Sequence, residues 1–271
     1  MKSVTDVQDY WERHPLLSHE VGEATADERW KYLDHIKRTD VETFAMEFWG
    51  FDEARQKNVL DIGCGPGWLT VMYARKGAVV TAIDLTEHAV RLTAEALEAN
   101  RVSAKLEVAS AELLPFPEKT FDLVVSSGVL HHTPDFEAAI RESYRVTREG
   151  GTGLITLYRL GILHSRLAFP LVRAVMRLTK TRHPGADLGT NAASVDEFVR
   201  QYDGEDNPVG IAKRECDWVN CLTTAGWRVV SVERHYFPAR MVPLLAHAPL
   251  WLRWFLDRYF ATMVYFTLQR V

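Results

Sequence analysis

The stretch VLDIGCGPG, residues 59–67, decides the fold. Val59 to Ile62 form a short apolar run, the pattern of a strand buried in a sheet. The run ends in Gly63, Gly65 and Gly67, which supply the backbone freedom for a tight turn and let a ligand approach the main chain closely. WLTVMYARKG, residues 68–77, then reads as a helix closed by Gly77. A strand that enters a glycine-rich turn and leaves as a helix aims the helix N-terminus and its free N–H groups at a ligand.

Further along the chain, strands and helices alternate. AVVTAID (78–84) is a second apolar strand, and TEHAVRLTAEALEANR (86–101) is an amphipathic helix. Thr86 is the expected N-cap of that helix, and Ala89, Leu92, Ala96 and Leu97 form its buried face. AKLEVAS (104–110), FDLVVSSGVL (121–130) and GTGLITLYR (151–159) read as the third, fourth and fifth strands. DFEAAIRESYRVTREGG (135–151) reads as a helix with Ile140, Tyr144 and Val146 inward, stopped by Gly150 and Gly151. After an irregular stretch come a helix at 214–226, a strand at 227–237, an aromatic helix near 243–260 and a last strand at 263–271. The expectation is an α/β, Rossmann-like fold: a mostly parallel seven-stranded sheet with helices on both faces and right-handed crossovers. Residues 1–50 are expected as a helical lid, with its period broken near Thr39, and 51–271 as the main domain with a helical cap insertion at 158–213.

Two residues distinguish the ligand of the glycine turn from a dinucleotide, and a third fits both. The dinucleotide fingerprint places a sixth-position glycine where this chain has Trp68. Asp61 stands two residues before the first glycine, where it repels a phosphate and attracts a cation. Asp84 ends the second strand, suited to grip two ribose hydroxyls, a feature common to both ligand types.

VLDIGCGPG, VVTAIDL, AELLPFPEKTFDLVVSSGVLHHTPD and ESYRVTREGG occur in order and in register over about a third of the chain. Together they resemble the small-molecule branch of the class I S-adenosylmethionine (SAM)-dependent methyltransferases, of which the ubiquinone/menaquinone-biosynthesis type is the best-known member. The resemblance implies that Gly63, Gly65 and Gly67 line the methionine part of SAM or of its product S-adenosylhomocysteine, with Asp61 near the amino group. It implies Asp84 on the ribose, Leu85 against the adenine, Ala111 and Glu112 along the adenine edge, and Ser127 and Gly128 under the sulfonium. Relatives often have Asp before the Ala–Glu pair. Here Ser110 stands there, so Ser110 or Glu112 must take its part.

Methyl transfer needs alignment and dryness, and a general base only for an acceptor that carries a proton. His131 and His132, at the carboxyl end of the fourth strand, are candidate bases, although packing and cofactor contact are the competing roles. Tyr10, with Trp11 and His14, lies in the lid, where aromatics either close over a sulfonium or simply pack. An apolar roof for the acceptor is expected from Leu163, Leu167, Phe169 and Val172 and from Leu244, Leu245, Trp251, Trp254 and Phe255. YDGEDNPVG (202–210), with Asp203, Asp206 and Asn207, reads as a surface turn rather than a substrate contact.

A net charge of −4 gives no global field for nucleic acid, and no base-amine methylation motif is present. The basic, apolar segment 163–183 reads as a cap helix with a solvated basic face, with membrane-surface contact as the alternative. Cys64, Cys216 and Cys221 lack metal-ligand spacing, so no metal is expected; their odd number and the polar N-terminus point to the cytoplasm. No apolar run is long enough to span a membrane. The expected function is methyl transfer to a small, partly apolar molecule; the alternatives are a membrane-associated lipid or quinone methyltransferase and a non-catalytic SAM-binding regulator.

Overall fold

Strand β1 (Asn58–Ile62) runs between β2 (Val79–Asp84) and β4 (Phe121–Ser127), parallel to both. Its alternating residues face two cores: Val59 packs in one, and Leu60 and Ile62 in the other. That double burial is why the strand is apolar from Val59 to Ile62 except at Asp61. The computed structural model describes residues 2–15, 24–179, 194–204, 206–237 and 249–271.

The sheet order is β3-β2-β1-β4-β5-β8-β7, with β3 at Lys105–Val108, β5 at Thr147–Arg159, β7 at Trp227–His235 and β8 at Met263–Arg270. The first five strands are parallel neighbours, and β8 runs antiparallel to β5 and β7. The seven expected strands are all present. An eighth, β6 (Ala212–Lys213), pairs with the end of β5 and is too short to leave a periodic signal.

The first core covers one face of the sheet with α2 (Ala26–Ile36), α3 (Ala45–Phe48), α4 (Trp68–Arg75) and α5 (Glu87–Ala99). The second covers the other face with α6 (Phe136–Val146) and α9 (Glu215–Thr224). Helix α1 (Val4–Arg13) lies against α5. Trp30, Leu33 and Phe48 pack in the same core as Val59 and Tyr73, so the N-terminal helices share the main hydrophobic core. The expected break near Thr39 falls in a π-helical turn, Lys37–Val41. Such turns are often found at functional sites.

Two elements differ from the sequence reading. Helix α6 ends at Val146, and residues 147–151 belong to β5 behind a register shift against β4, so Gly150 and Gly151 are not its stop. On α5, Thr86 is the N-cap as expected, but the buried position is Thr93 while Leu92 is half-exposed. Thr93 Oγ1 donates to the Gly65 carbonyl at 2.8 Å and so ties α5 to the glycine turn. The insertion carries a 3-10 turn (Ile162–His164), α7 (Ala168–Thr179) and α8 (Val195–Arg200); α10 (Leu250–Phe260) precedes β8.

Candidate functional site

A cavity of about 1280 Å³, counted with its open mouth, lies at the carboxyl ends of β1, β2 and β4. The glycine turn forms its floor, with Gly63, Gly65 and Gly67 at φ of 76°, 52° and 86°. The first and last of these are required by contact as well. A Cβ on Gly63 would stand 2.3 Å from Val129 Cγ2, and one on Gly67 3.0 Å from the Thr93 backbone. A Cβ on Gly65 meets nothing within 4 Å, so this glycine keeps bare backbone facing the cavity it lines.

Asp61 and Asp84 mark two points of the floor. Asp61 is 1% exposed and accepts from Thr70 Oγ1 at 2.6 Å. Burial pushes its carboxyl up to about 7, against the opposing pull of the Thr70 hydroxyl and of Lys37. A carboxylate buried beside a cavity at such cost is a ready site for a cationic ligand group. Asp84 accepts from Gly65 N–H, Thr86 N–H and Thr86 Oγ1, each at 3.0 Å. Burial also raises Asp84, and these hydrogen bonds pull it back. A carboxylate has about four lone-pair sites, so these bonds occupy most of its capacity and orient what remains.

Leu85, Ser110, Ala111, Glu112, Ser127 and Gly128 all line the same cavity. The Ser110 hydroxyl accepts from Glu112 N–H at 3.2 Å, and the Glu112 carboxylate accepts from Asp135 N–H at 2.8 Å. Lys37 also reaches the cavity while paired to Glu42 at 2.8 Å. The broken helical period at Thr39 was the signal available for it.

The roof is not the one expected. Val4, Val7 and Trp11 of α1, with Pro15 and Leu33, cover the cavity. Gln8 Nε2 donates to the Leu85 carbonyl at 3.0 Å, and Glu12 accepts from His88 N–H at 3.3 Å, which latches α1 across the β2–α5 turn. Leu167, Trp251, Trp254 and Phe255 point into solvent instead, and Phe169 packs on Phe198 of α8. Leu244 and Leu245 lie outside the described residues. The apolar pattern of those segments marked a face without showing what the face meets.

The two histidines separate. His131 is fully buried away from the cavity, tilted against Tyr158 with ring centroids 3.9 Å apart, and neither ring nitrogen has a hydrogen-bond partner. Burial, then the neighbouring His132, drives its basicity well down, so it stays neutral. His132 lines the cavity beside Trp11, 5.2 Å between centroids. Its Nδ1 lies 2.7 Å from the Val209 carbonyl, which only accepts, so Nδ1 carries a proton. Its Nε2 lies 3.2 Å from Asp203 Oδ2, and that oxygen accepts from the Tyr158 hydroxyl at 2.7 Å. Asp203 itself lines the cavity, contrary to the surface-turn reading, whereas Asp206 is exposed.

Tyr10 is a fastener of the lid rather than a wall of the cavity. Its hydroxyl donates to the Asp203 carbonyl at 2.5 Å, and its ring stacks on His14. Gly204 makes room for it, because a Cβ there would lie 2.2 Å from the Tyr10 oxygen. Burial, and next the Asp203 charge, push the Tyr10 phenol up to about 12, so it remains a donor. Lid, 201–204 turn and His132 thus form one connected wall.

Residues 60–155 match the family model described as a methyltransferase domain. The chain is 30% identical over 95 residues to the ubiquinone biosynthesis O-methyltransferase of Coxiella burnetii, covering 35% of this chain and 41% of that protein. It is 35% identical over 108 residues to the malonyl-(acyl-carrier protein) O-methyltransferase of Erwinia billingiae, covering 40% and 41%. It thus spans about two fifths of the length of these curated relatives. A SAM-dependent methyltransferase of Methanosarcina mazei superposes with a TM-score of 0.56 at 20% identity, over 80% of this chain and 93% of that one. Residues 60–155 carry a methyltransferase domain, and the sheet around them has the fold of SAM-dependent methyltransferases.

Proposed function

We propose that this protein transfers the methyl group of SAM to a small, partly apolar acceptor, whose polar group meets His132 and Asp203. One observation carries the reading: a single cavity joins Asp61, the bare backbone of Gly65 and Asp84 at one end to His132 and Asp203 at the other. The residues fit the cofactor. Asp61 would hold its amino group, the Gly65 backbone would lie against its methionine part, and Asp84 would take a ribose hydroxyl. When bound, SAM supplies a methyl carbon on a good leaving group. The chain's part is to align and to keep water out, and α1 does the latter with Val4, Val7 and Trp11.

An acceptor that loses a proton on methylation, such as a hydroxyl or phenol, requires somewhere to put it. The Asp203 carboxylate, oriented by the Tyr158 hydroxyl, is placed to take that proton. His131 is closed off from this role by its burial. The deciding experiment has two parts. Calorimetry should show heat from S-adenosylhomocysteine and none from NAD. Incubation with SAM and panels of phenols, hydroxy acids and amines should release S-adenosylhomocysteine with one class. NAD binding without S-adenosylhomocysteine binding overturns the cofactor assignment; binding of S-adenosylhomocysteine with no turnover on any panel overturns the transfer reading.

A further inference from the structure

Outside the cavity, the most conspicuous feature is an apolar surface on the insertion side. Ile162, Leu167 and Leu171 are 61%, 94% and 66% exposed, and Trp251, Trp254 and Phe255 are 70%, 66% and 45% exposed. The two groups belong together, because α7 and α10 both pack on the 3-10 turn Ile162–His164. Large apolar side chains exposed as a group mark a contact surface; scattered ones do not. Here two tryptophans, two leucines, an isoleucine and a phenylalanine share one turn as their base.

Charge identifies the partner. The described part of this segment, residues 160–179, contains Arg166, Arg173 and Arg177 and no Asp or Glu, in a chain whose net charge is −4. On α10, the Arg258 guanidinium lies 5.7 Å from the Trp254 ring centroid. The acid of that helix, Asp257, accepts from Phe237 N–H at 2.5 Å and so serves the fold. A second copy of the chain would set this basic run against itself, so self-association across the face is electrostatically disfavoured. Tryptophan and arginine side by side on an amphipathic surface suit the boundary between anionic headgroups and acyl chains. Among the described residues no helix is long and apolar enough to cross a membrane, so the contact is one of lying on the surface.

We propose that the face built by Ile162–His164, α7 and α10 docks on an anionic lipid surface. Methyl transfer is not assumed in this inference, but the face adjoins the cavity wall. His164 Nε2 lies 2.6 Å from the Tyr202 hydroxyl, and the next residue, Asp203, lines the cavity. Docking therefore sets the Asp203 side of the cavity near the interface, where an apolar acceptor concentrates.

The test is co-sedimentation of the full chain with vesicles of phosphatidylcholine alone and with phosphatidylglycerol added, at low and high salt. Binding to the anionic vesicles is expected to exceed binding to neutral ones by about tenfold or more and to weaken with salt. Tryptophan emission should be quenched by brominated acyl chains. The double variant Trp251→Ser/Trp254→Ser should lose binding about fivefold or more while its affinity for S-adenosylhomocysteine and its circular dichroism stay unchanged. The proposal is overturned by absence of binding to anionic vesicles, or by equal binding of the double variant. It is also overturned if the wild type sediments as a dimer that the double variant abolishes, since a second copy then covers the face. Failure here leaves S-adenosylhomocysteine binding untouched, so the two readings fail separately.

Discussion

Asp61 makes the cofactor assignment measurable through pH. Its carboxyl titrates at about 7 because burial disfavours its charge. A ligand ammonium can pair only with the ionised form. In the free protein the ionised fraction is about a half at pH 7 and about 3% at pH 5.5, from one-site titration. Affinity for S-adenosylhomocysteine should therefore rise about fifteenfold between those values, equivalent to ~1.6 kcal/mol at 1.36 kcal/mol per pH unit. Above pH 7 only about a further twofold remains, and the ligand's own α-amino group begins to lose its proton near pH 8. The profile is thus a rise, a plateau and a fall. The sign for stability is the opposite: an acid whose folded pKa is raised contributes most below its unfolded value of 3.8 and loses that contribution as pH rises towards 7. Bound ligand restores it, so the thermal shift produced by S-adenosylhomocysteine should grow over the same window.

Calorimetry from about pH 5.5 to pH 8.5 reads the effect, with two controls. 5′-Methylthioadenosine lacks the amino-acid end and should bind with a flat profile. Asp61→Asn keeps the shape of the side chain and should bind S-adenosylhomocysteine weakly and without the acid limb. A flat wild-type profile, or an unchanged acid limb in Asp61→Asn, would refute the pairing of Asp61 with the ligand's cation.

Asp84→Ala removes a charge-assisted bond to the ribose of about 1.5–3 kcal/mol and releases Gly65 and Thr86, so S-adenosylhomocysteine should bind at least about tenfold more weakly by calorimetry; an unchanged dissociation constant in the folded variant would show that β2 does not hold the ribose. Gly63→Ala and Gly65→Ala should part company: the first drives a methyl into Val129 at a positive φ and should lower stability by about 3 kcal/mol or more in denaturant titration, whereas the second fills open space and should cost about 1 kcal/mol yet block the cofactor. Equal destabilisation of the two would contradict the packing behind Gly63. With a hydroxyl acceptor in hand, Asp203→Asn should lower kcat about a hundredfold and leave S-adenosylhomocysteine affinity within about twofold; full activity would mean that the proton leaves by another route.

The glycine turn was legible because its geometry is local. Gly63 and Gly67 are demanded by positive φ, a property of their own backbone, and Thr86 caps α5 through its own chain three residues on, whereas Val129 and Thr93, which crowd the two glycines, come from distant parts of the chain. The central strands β1, β4 and β5 were legible because burial on two faces leaves apolar runs. What sequence reading missed was assembled from afar. Asp203 sits in YDGEDNPVG, whose composition is that of any exposed turn, and only the approach of Tyr10, His132 and Tyr158 turns it into part of the cavity wall. His131 and His132 looked equivalent as neighbours, yet in the turn that ends β4 one ring is buried against Tyr158 and the other lines the cavity. The roof illustrates the same limit. α1 and the insertion helices both carry an apolar stripe, and amphipathicity reports that a stripe exists without naming its partner. Polar contacts decide between them: Gln8 and Glu12 bond to the β2–α5 turn and hold α1 over the cavity. α7 and α10 rest on the Ile162–His164 turn, with apolar side chains directed away from the cavity. Among the described residues the α7–α10 face stays exposed once the cavity has been roofed, and an apolar stripe without a partner is information that helical period alone does not give.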